Sequence, residues 1–189
     1  MVNTYKLKLT ILQQGILRLL IIRAGVSMNQ REIATFLDVS SPAVMKAIPE
    51  LQKIGFVKTS QDKKSGRWSI ELNRDNHRVL QIKRADNLRQ VYESGFADFI
   101  DREFAGATII LFGSYSRGED VWFGEDDDKN SDIDIAVVGR KEKNVNLEAF
   151  EKILEREIFI NFYESWDKIH NNLRNNILNG IILSGSVDL

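Results

Sequence analysis

Hydrophobic residues in the first quarter of the chain recur with a helical period. The apolar-rich stretch from Leu9 to Ile22 predicts a helix, and Gly25 marks its end. Asn29 has the side chain of a helix cap, so a second helix is predicted over Gln30 to Leu37. The sequence therefore opens with two short helices separated by a turn.

A third helix follows the turn at residues 38–42. Ser41 is predicted as its N-cap and Pro42 as its first residue, a position where the missing N–H of proline costs nothing. Gly55 predicts its C-terminal end. Apolar residues repeat at spacings of three and four along this helix and predict one buried stripe: Val44, Ile48, Leu51 and Ile54.

The pattern then changes to two strand-like runs with a polar loop between them. Phe56 to Ser60 and Arg67 to Leu72 predict the strands, and the connecting loop, Gln61 to Gly66, carries two lysines. A basic hairpin is therefore expected. The polar stretch from Asn76 to Glu103 has helical spacing and predicts a connector that is interrupted near Gly95.

After Gly106 strands and helices alternate, which predicts an α/β region. A helix is expected over Leu147 to Glu157 and a last helix over Trp166 to Leu178. The predicted strands are Thr108 to Phe112, Ser131 to Val138 and Ile158 to Tyr163.

Charge divides the chain as clearly as hydrophobicity does. Residues 1–90 hold 16 Lys and Arg against 7 Asp and Glu, a net +9, and residues 91–189 hold 10 against 20, a net −10. A basic half favours a polyanionic partner, and an acidic half favours a bound cation or simple solubility. The alternative without functional meaning is that the two halves differ in net charge by chance and that both surfaces are simply solvated.

Composition and length narrow the setting. The 189 residues suffice for one ordinary domain or two small ones, and the absence of cysteine excludes disulfides and thiolate metal sites. The apolar run from Leu19 to Ile22 is far shorter than the roughly 18 residues of a membrane helix. The N-terminus also lacks a signal-peptide layout. We expect a cytoplasmic protein that makes no use of a membrane.

Three helices and a basic hairpin resemble the winged helix-turn-helix domain of MarR-type transcriptional regulators, over the stretch REIATFLDVSSPAVMKAIPELQKIGFV. The resemblance covers roughly residues 8–73 and implies a mainly α domain that binds double-stranded DNA. Ser40 to Lys53 would be the recognition helix and Lys58 to Arg67 the wing. A homodimer is a further expectation. A protein-interaction or dimerisation module is the alternative. The implied DNA-binding residues are Ser41, Lys46, Lys53, Lys58, Lys63, Lys64 and Arg67.

Two carboxylates in the predicted strand SDIDIAVV are the chain's strongest chemical signal. Asp132 and Asp134 are two positions apart, so on a strand both side chains face one side while Ile133 and Ile135 face the core. Paired carboxylates repel each other unless a cation lies between them, and oxygen ligands select a hard cation, above all Mg²⁺. Before them, Gly113 and Ser114 follow a strand and suit phosphate binding.

The pair GSYSRGE and SDIDIAVV resembles the signature of DNA polymerase beta-like nucleotidyltransferases, most closely the minimal members, over about residues 106–185. The resemblance implies an α/β (α+β) fold with a small mixed sheet and the cofactor Mg²⁺. Gly113, Ser114 and Arg117 would bind the NTP, while Asp132 and Asp134 would hold the metal and serve as catalytic residues. The predicted domains are residues 1–75 and 106–189, joined by a helical connector at 76–105.

Two departures from that family affect the predicted activity. The loop from Val121 to Asn130 lengthens the gap between Ser114 and Asp132, and its acidic part, Glu125 to Asp128, suits either a second cation or solvent. Where the family has a third carboxylate, this sequence has Asn161, and an amide cannot accept the nucleophile's proton.

Two functions follow: a regulator that binds an NTP, or an active transferase that modifies a protein or a small hydroxyl acceptor.

Overall fold

A computed structural model describes residues 9–63, 65–124 and 130–188, which form two compact units. One unit ends at Val79 and the other begins at Leu80. Within the described ranges, no helix is long and apolar enough to cross a membrane. The predicted boundaries of the domains and of the connector remain a proposal.

The first unit begins with the three predicted helices, α1 (Ile11–Ile22), α2 (Gln30–Phe36) and α3 (Ser41–Lys53). Asn29 caps α2 as predicted, since its side chain accepts from the second and third backbone N–H groups of the helix. The prediction of Ser41 as the cap of α3 is wrong. The extended residue Ser40 caps this helix, with its hydroxyl accepting from the N–H of Ala43, which makes Pro42 the second helical residue.

A hairpin completes the first unit. Strand β1 (Val57–Gln61) pairs antiparallel with β2 (Trp68–Leu72), which confirms the predicted hairpin. On β2, Ile70 is fully buried and also forms an isolated antiparallel bridge with Met28, so the hairpin is fastened to the segment before α2. Helices α1, α2 and α3 contribute further fully buried residues to this core, among them Ile16, Leu20, Ile33, Val44 and Leu51.

Two helices precede the sheet of the second unit. Helix α4 spans His77–Glu93 and α5 spans Phe96–Glu103. Gly95 lies between them in the left-handed conformation, which confirms the interruption predicted there. The buried residues Phe96 and Ile100 place α5 against one face of the sheet.

Four strands form the mixed sheet, in the order β5-β4-β3-β6. The central strand β3 (Thr108–Phe112) runs antiparallel to β4 (Ile133–Val138) and to β6 (Ile181–Ser184), and β4 runs parallel to β5 (Ile158–Tyr163). The short helix α6 (Gly113–Arg117) follows β3 directly. Helices α7 (Glu148–Leu154) and α8 (Asn171–Leu178) complete the unit.

Alternation along β4 separates two hydrophobic cores. Ile133, Ile135 and Val137 face the core that contains α5, as predicted for the first two of them. Ala136 and Val138 face the opposite core, together with residues of β3 and α8. Asp134 has the same parity as Ala136, so the sheet directs its side chain to the α8 side.

Several predicted boundaries were wrong. Strand β4 begins at Ile133, so Asp132 immediately precedes the strand, because ladder bonding starts where the N–H of Ile133 donates to the carbonyl of Glu157 (2.8 Å). The predicted last helix is a 3₁₀ turn, Trp166–Lys168, followed by α8. The predicted helix is interrupted at Ile169, whose backbone is extended and whose side chain is buried. Strand β6 was not predicted.

Candidate functional site

Strand pairing brings the turn that begins at Gly113 and Ser114, the Gly-Ser turn, against the Asp-x-Asp strand, which is β4 with the preceding Asp132. Phe112, the last residue of β3, is the register partner of Asp134 on β4. Gly113 comes next, with φ of 74°, and a Cβ at this position would lie 3.1 Å from Cγ of Asp134 and inside van der Waals contact of its Oδ2. The positive φ favours glycine, and any larger side chain here would require the Asp134 side chain to shift. The predicted residues Gly113 and Asp134 therefore meet in one site.

The turn after Gly113 is closed by its own hydrogen bonds. The buried hydroxyl of Ser116 donates to the carbonyl of Gly113 (2.9 Å), and the N–H of Glu119 donates to the carbonyl of Ser114 (3.0 Å). These bonds fix the backbone on both sides of Ser114. The structure thus presents the predicted phosphate-binding residues on a defined turn at the end of β3.

Arg117, at the end of α6, supplies positive charge that acts on Asp134. Its Nε donates to Glu119 (2.7 Å) and its NH1 to Oδ1 of Asn176 on α8 (3.1 Å). The arginine also opposes the rise in the pKa of Asp134, so its charge acts at that carboxyl. Asn176 was not predicted, and only the three-dimensional packing of α8 reveals its contact with Arg117.

Asp132 and Asp134 are both half-buried, and their charges interact. Burial raises the pKa of Asp134 from 3.8 to about 6, and the negative charge of Asp132 acts in the same direction, against the lowering effect of Arg117. The pair therefore carries unfavourable negative charge at neutral pH. The positive charge of a bound cation would offset both effects by favouring the ionised carboxylates.

The donor set fits Mg²⁺. Mg²⁺ is commonly held by one or two carboxylates and completes its octahedral shell with water and substrate phosphates, so two aspartates beside a candidate phosphate-binding turn would suffice. Within the parts of the chain that the structure describes, no three His, Asp or Glu side chains are grouped to hold a metal. Asp132 and Asp134 would accordingly hold the ion without a full protein cage.

Strand β5 presents the third position on the same face. Asn161 pairs with Ala136 in the parallel register, and Phe159 pairs with Asp134, so Phe159 and Asn161 share the face that carries Asp134. Glu157 and Glu164 are exposed at the two ends of β5, and neither joins a described group of three potential ligands. The side chain at the expected third-ligand position is an amide.

Tyr163 is a further residue on this face, and it was not among the predicted site residues. Burial raises the pKa of its phenol, and the negative charge of Asp134 acts in the same direction, so the tyrosine experiences the field of the candidate metal site. The signal was available in the sequence, because Tyr163 has the same strand parity as Asn161. It adds a phenol group to the α8 side of the sheet.

The raised pKa of Asp134 predicts a stability effect. Its folded pKa lies above its unfolded value, so its charge begins to cost stability as the pH rises through 3.8 and the cost is complete above about pH 6. We expect Asp134→Asn to raise the free energy of unfolding by about 1 kcal/mol at pH 8, allowing for its half exposure to solvent. Thermal unfolding in the absence of divalent cations measures this.

The gain should shrink as the pH is lowered and vanish near pH 4. Asp98→Asn, on the exposed side of α5, is a matched control for which no gain is expected at either pH. Equal stabilisation by Asp134→Asn at pH 4 and pH 8 would contradict the electrostatic explanation.

The predicted DNA-contacting residues lie on α3 and the hairpin of the first unit. Lys46 is exposed on α3, opposite its buried stripe, and Ser41 is the first residue of that helix. Lys63 and Arg67 are exposed on the hairpin loop, and Arg67 helps to line a hollow of about 430 Å³. Lys64 lies outside the described residues. The geometry presents basic side chains on the wing.

Two of the predicted basic residues already have acidic partners. Lys53, in the last turn of α3, lies 3.9 Å from Glu50, and Nζ of Lys58 donates to Asp75 at 2.5 Å. Hydrogen bonding to Asp75 raises the pKa of Lys58, which keeps the ammonium charged. Because a DNA phosphate would have to compete with these carboxylates, Lys63 and Arg67 are the stronger candidates.

The residues from Val121 to Asn130 contain the acidic part of the long loop. Glu125 to Asp128, for which either a second cation or solvent was expected, lie outside the described residues. On the described flanks, the N–H of Val121 donates to the hydroxyl of Ser131 (3.0 Å), and the N–H of Ser131 donates to the carbonyl of Val121 (3.0 Å). This reciprocal pair closes the loop just before Asp132.

Comparison with known proteins finds two families in the chain. The model described as "MarR family" matches residues 10–68, and the model described as "Nucleotidyltransferase domain" matches residues 93–183. No curated protein matches the chain.

Solved structures similar to the chain include MarR-family regulators. The adhesin competence repressor AdcR of Streptococcus pyogenes is 23% identical, with 55% of this chain and 72% of that chain covered and a TM-score of 0.40. The zinc-responsive MarR family member ZitR of Lactococcus lactis is 21% identical, with coverages of 55% and 68% and a TM-score of 0.39. A mutant of MepR from S. aureus is 19% identical, with 40% of this chain covered and a TM-score of 0.35, and the match spans only 56% of its length.

Because these TM-scores are below 0.5, the domain identities depend on the family models and on the two folds described above. The nucleotidyltransferase model begins at residue 93, inside the segment predicted as a connector. The chain contains a MarR-like winged helix-turn-helix domain followed by a nucleotidyltransferase domain.

Proposed function

We propose that the protein is a DNA-binding, transcription-regulator-like protein whose nucleotidyltransferase domain binds an NTP together with Mg²⁺ and turns it over poorly. The observation that carries this proposal is the close approach of Gly113 to Asp134, with an amide at the third-ligand position. We also propose a cytoplasmic location, where both duplex DNA and NTPs occur.

Nucleotide binding is supported by complementary groups around one turn. Gly113 leaves no side chain between the backbone and an approaching phosphate. Arg117 offers a guanidinium at the end of α6, for which a phosphate would compete with Glu119. Asp132 and Asp134 would hold Mg²⁺, which when bound supplies charge neutralisation for the triphosphate. The backbone at Gly113, the guanidinium and the two carboxylates together suit a triphosphate with bound Mg²⁺.

Poor turnover is supported by Asn161. In nucleotidyl transfer, an acceptor hydroxyl oxygen forms a bond to the α-phosphorus, the bond from that phosphorus to the pyrophosphate oxygen breaks, and the hydroxyl proton must leave. A carboxylate on β5 would accept that proton or orient the hydroxyl, whereas an amide has no basic oxygen of useful pKa. Asn161 can position a hydroxyl by hydrogen bonding and cannot deprotonate it.

The alternative is an active Mg²⁺-dependent nucleotidyltransferase that transfers a nucleoside monophosphate to a protein or a small hydroxyl acceptor. The intact Gly-Ser turn and the Asp132 and Asp134 pair favour this alternative. It requires a proton acceptor other than Asn161, and the exposed carboxylates Glu157 and Glu164 at the ends of β5 are the candidates.

The DNA partner is proposed from the basic wing and the winged helix-turn-helix fold. A homodimer is also proposed, since a pair of recognition helices would bind two half-sites on one face of the duplex. Lys46, Lys63 and Arg67 would mainly contact phosphates, so we expect affinity that depends on salt and modest sequence preference.

Asn161→Asp separates the two functions. We expect the wild-type protein to release pyrophosphate from ATP, GTP, CTP or UTP at a barely measurable rate, with water as the acceptor. Restoring the carboxylate should raise that rate roughly 100-fold, the lower range for a positioned general base. Radiolabelled NTPs report self-labelling in the same reactions.

Asn172→Asp, an exposed change on α8, is the matched control and should leave the rate unchanged. Rapid pyrophosphate release by the wild type, with no gain in Asn161→Asp, would favour the active transferase over the nucleotide-binding regulator.

A further inference from the structure

Behind the Gly-Ser turn, the second unit buries a cluster of charged and polar side chains. Asp120 is fully buried, and Lys83, Asn87 and Arg156 are at most 6% exposed. Nζ of Lys83 and NH2 of Arg156 donate to Oδ2 of Asp120 at 2.8 and 3.3 Å, and Nδ2 of Asn87 donates to Oδ1 at 2.7 Å. We call these four residues the Asp120 cluster.

The cluster is bonded directly to the candidate phosphate-binding turn. Nδ2 of Asn87 also donates to the carbonyl of Tyr115 in α6 (2.9 Å), which receives the N–H of Gly118 as well (3.2 Å). Asp120 lies three residues after Arg117, the predicted phosphate contact. The amide of Asn87 on α4 therefore joins the backbone of Tyr115, in the middle of the turn, to the carboxylate of Asp120, which follows the turn.

Gly118 brings the backbone of α4 against the same turn. Its φ is 74°, and a Cβ there would lie 2.5 Å from the carbonyl oxygen of Leu80 and 2.8 Å from the nitrogen of Arg84. The two backbones are thus as close as glycine permits. Lys83 and Asn87, four residues apart on α4, are presented on the side that faces the turn.

Arg156 connects the cluster to β5, the strand that carries Asn161. It lies between α7 and β5, two residues before Ile158, and the adjacent Glu157 carbonyl accepts the first ladder bond of β4. Asp120 therefore connects the segment that leads to Asn161 with the Gly-Ser turn and with α4. All three segments carry or support groups of the candidate nucleotide site.

Stability alone does not explain such a cluster. Burial lowers the pKa of Lys83, a cost that its attraction to Asp120 only partly offsets, and apolar residues of similar volume often replace buried ion pairs without loss. Directional hydrogen bonds, in contrast, fix the orientation of the groups that they join.

We infer that the Asp120 cluster is a positioning element for the nucleotide site, with Asn87 as the residue that sets the Gly-Ser turn for the triphosphate. The inference depends on the proposed nucleotide binding. Asn87 acts through the backbone of α6 and touches no ligand. Asp132 and Asp134, the proposed metal ligands, are positioned by β4 and not by α6. Loss of Asn87 should therefore weaken triphosphate binding much more than binding of the metal alone.

The test measures two affinities of the full chain. Binding of ATP, GTP, CTP and UTP with Mg²⁺ is measured by calorimetry, and binding of Mn²⁺ without nucleotide by electron paramagnetic resonance. We expect Asn87→Ala to weaken the best-bound NTP at least tenfold while Mn²⁺ affinity stays within twofold. Asn87→Ala retains the Lys83 and Arg156 bonds to Asp120, so it is preferred over Asp120→Asn, which would leave two buried cations without their carboxylate.

Phe104→Leu is the control for general destabilisation. Phe104 is buried in the same unit and packs edge-on against Phe162 with ring centroids 5.2 Å apart, so its loss removes packing and no polar bond. Both of its affinities should stay within twofold of wild type. Unchanged NTP affinity in Asn87→Ala, or an equal loss of NTP and Mn²⁺ affinity, would overturn the inference while leaving the proposed function intact. No NTP binding by the wild type would overturn both.

Discussion

Binding of NTP with Mg²⁺ is expected to fall by at least roughly 100-fold when Asp132 and Asp134 are both changed to alanine, the loss that about 3 kcal/mol of metal-mediated attraction represents. The double substitution removes both carboxylates that would hold the cation, and Arg117 and the Gly113 turn cannot replace a divalent charge. The remaining site would face the triphosphate without its neutralising ion. Calorimetric titration of each of the four NTPs in the presence of Mg²⁺ measures the loss.

Folding should survive this double substitution, because Asp134 carries unfavourable charge in the folded protein at neutral pH. Asp98→Ala combined with Asp167→Ala is the matched control, since it removes two exposed carboxylates of the same unit. The control should bind NTP as the wild type does. If the Asp132 and Asp134 double variant kept its NTP affinity, the metal and nucleotide residues proposed here would be wrong.

The meeting of Gly113 with the Asp-x-Asp strand could be predicted because the two sequences lie at the ends of neighbouring strands. A strand that ends in Gly-Ser and a strand that begins with Asp-x-Asp need only pair antiparallel for the two to meet, and Phe112 does pair with Asp134. The exact start of the strand could not be predicted. Asp132 precedes β4 because the first ladder bond, at Ile133, depends on the carbonyl of Glu157, 24 residues further along the chain.

The Asp120 cluster shows what local patterns cannot reveal. Asp120 stands in a polar stretch, and Lys83 and Asn87 belong to a helix whose sequence is polar, so nothing in the sequence marks them as buried. Their contacts join residues 37 and 33 positions apart. Strand β6 was missed for a related reason. Its four residues form a strand by pairing with β3, which lies about 70 residues earlier.

Duplex DNA binding is expected to weaken about 100-fold at 0.1 M salt when Lys63, Lys64 and Arg67 are changed to alanine together. Each of these residues would neutralise one phosphate and release its condensed counterion. The slope of log K against log[salt] should therefore become shallower by about 2 to 3. Fluorescence anisotropy with a labelled duplex of mixed sequence, measured over a range of salt concentrations, gives both quantities.

The matched control removes the same charge from the other half of the chain. Lys141, Lys152 and Lys168 are exposed in the acidic unit, and their joint change to alanine lowers the net charge by the same three units. A general electrostatic attraction would weaken similarly in both triple variants, whereas phosphate contacts by the wing would be lost only in the first. Wild-type affinity and salt slope in the Lys63, Lys64 and Arg67 variant would exclude the wing as a DNA contact. The basic charge of the first half would then serve a different polyanion or only solvation.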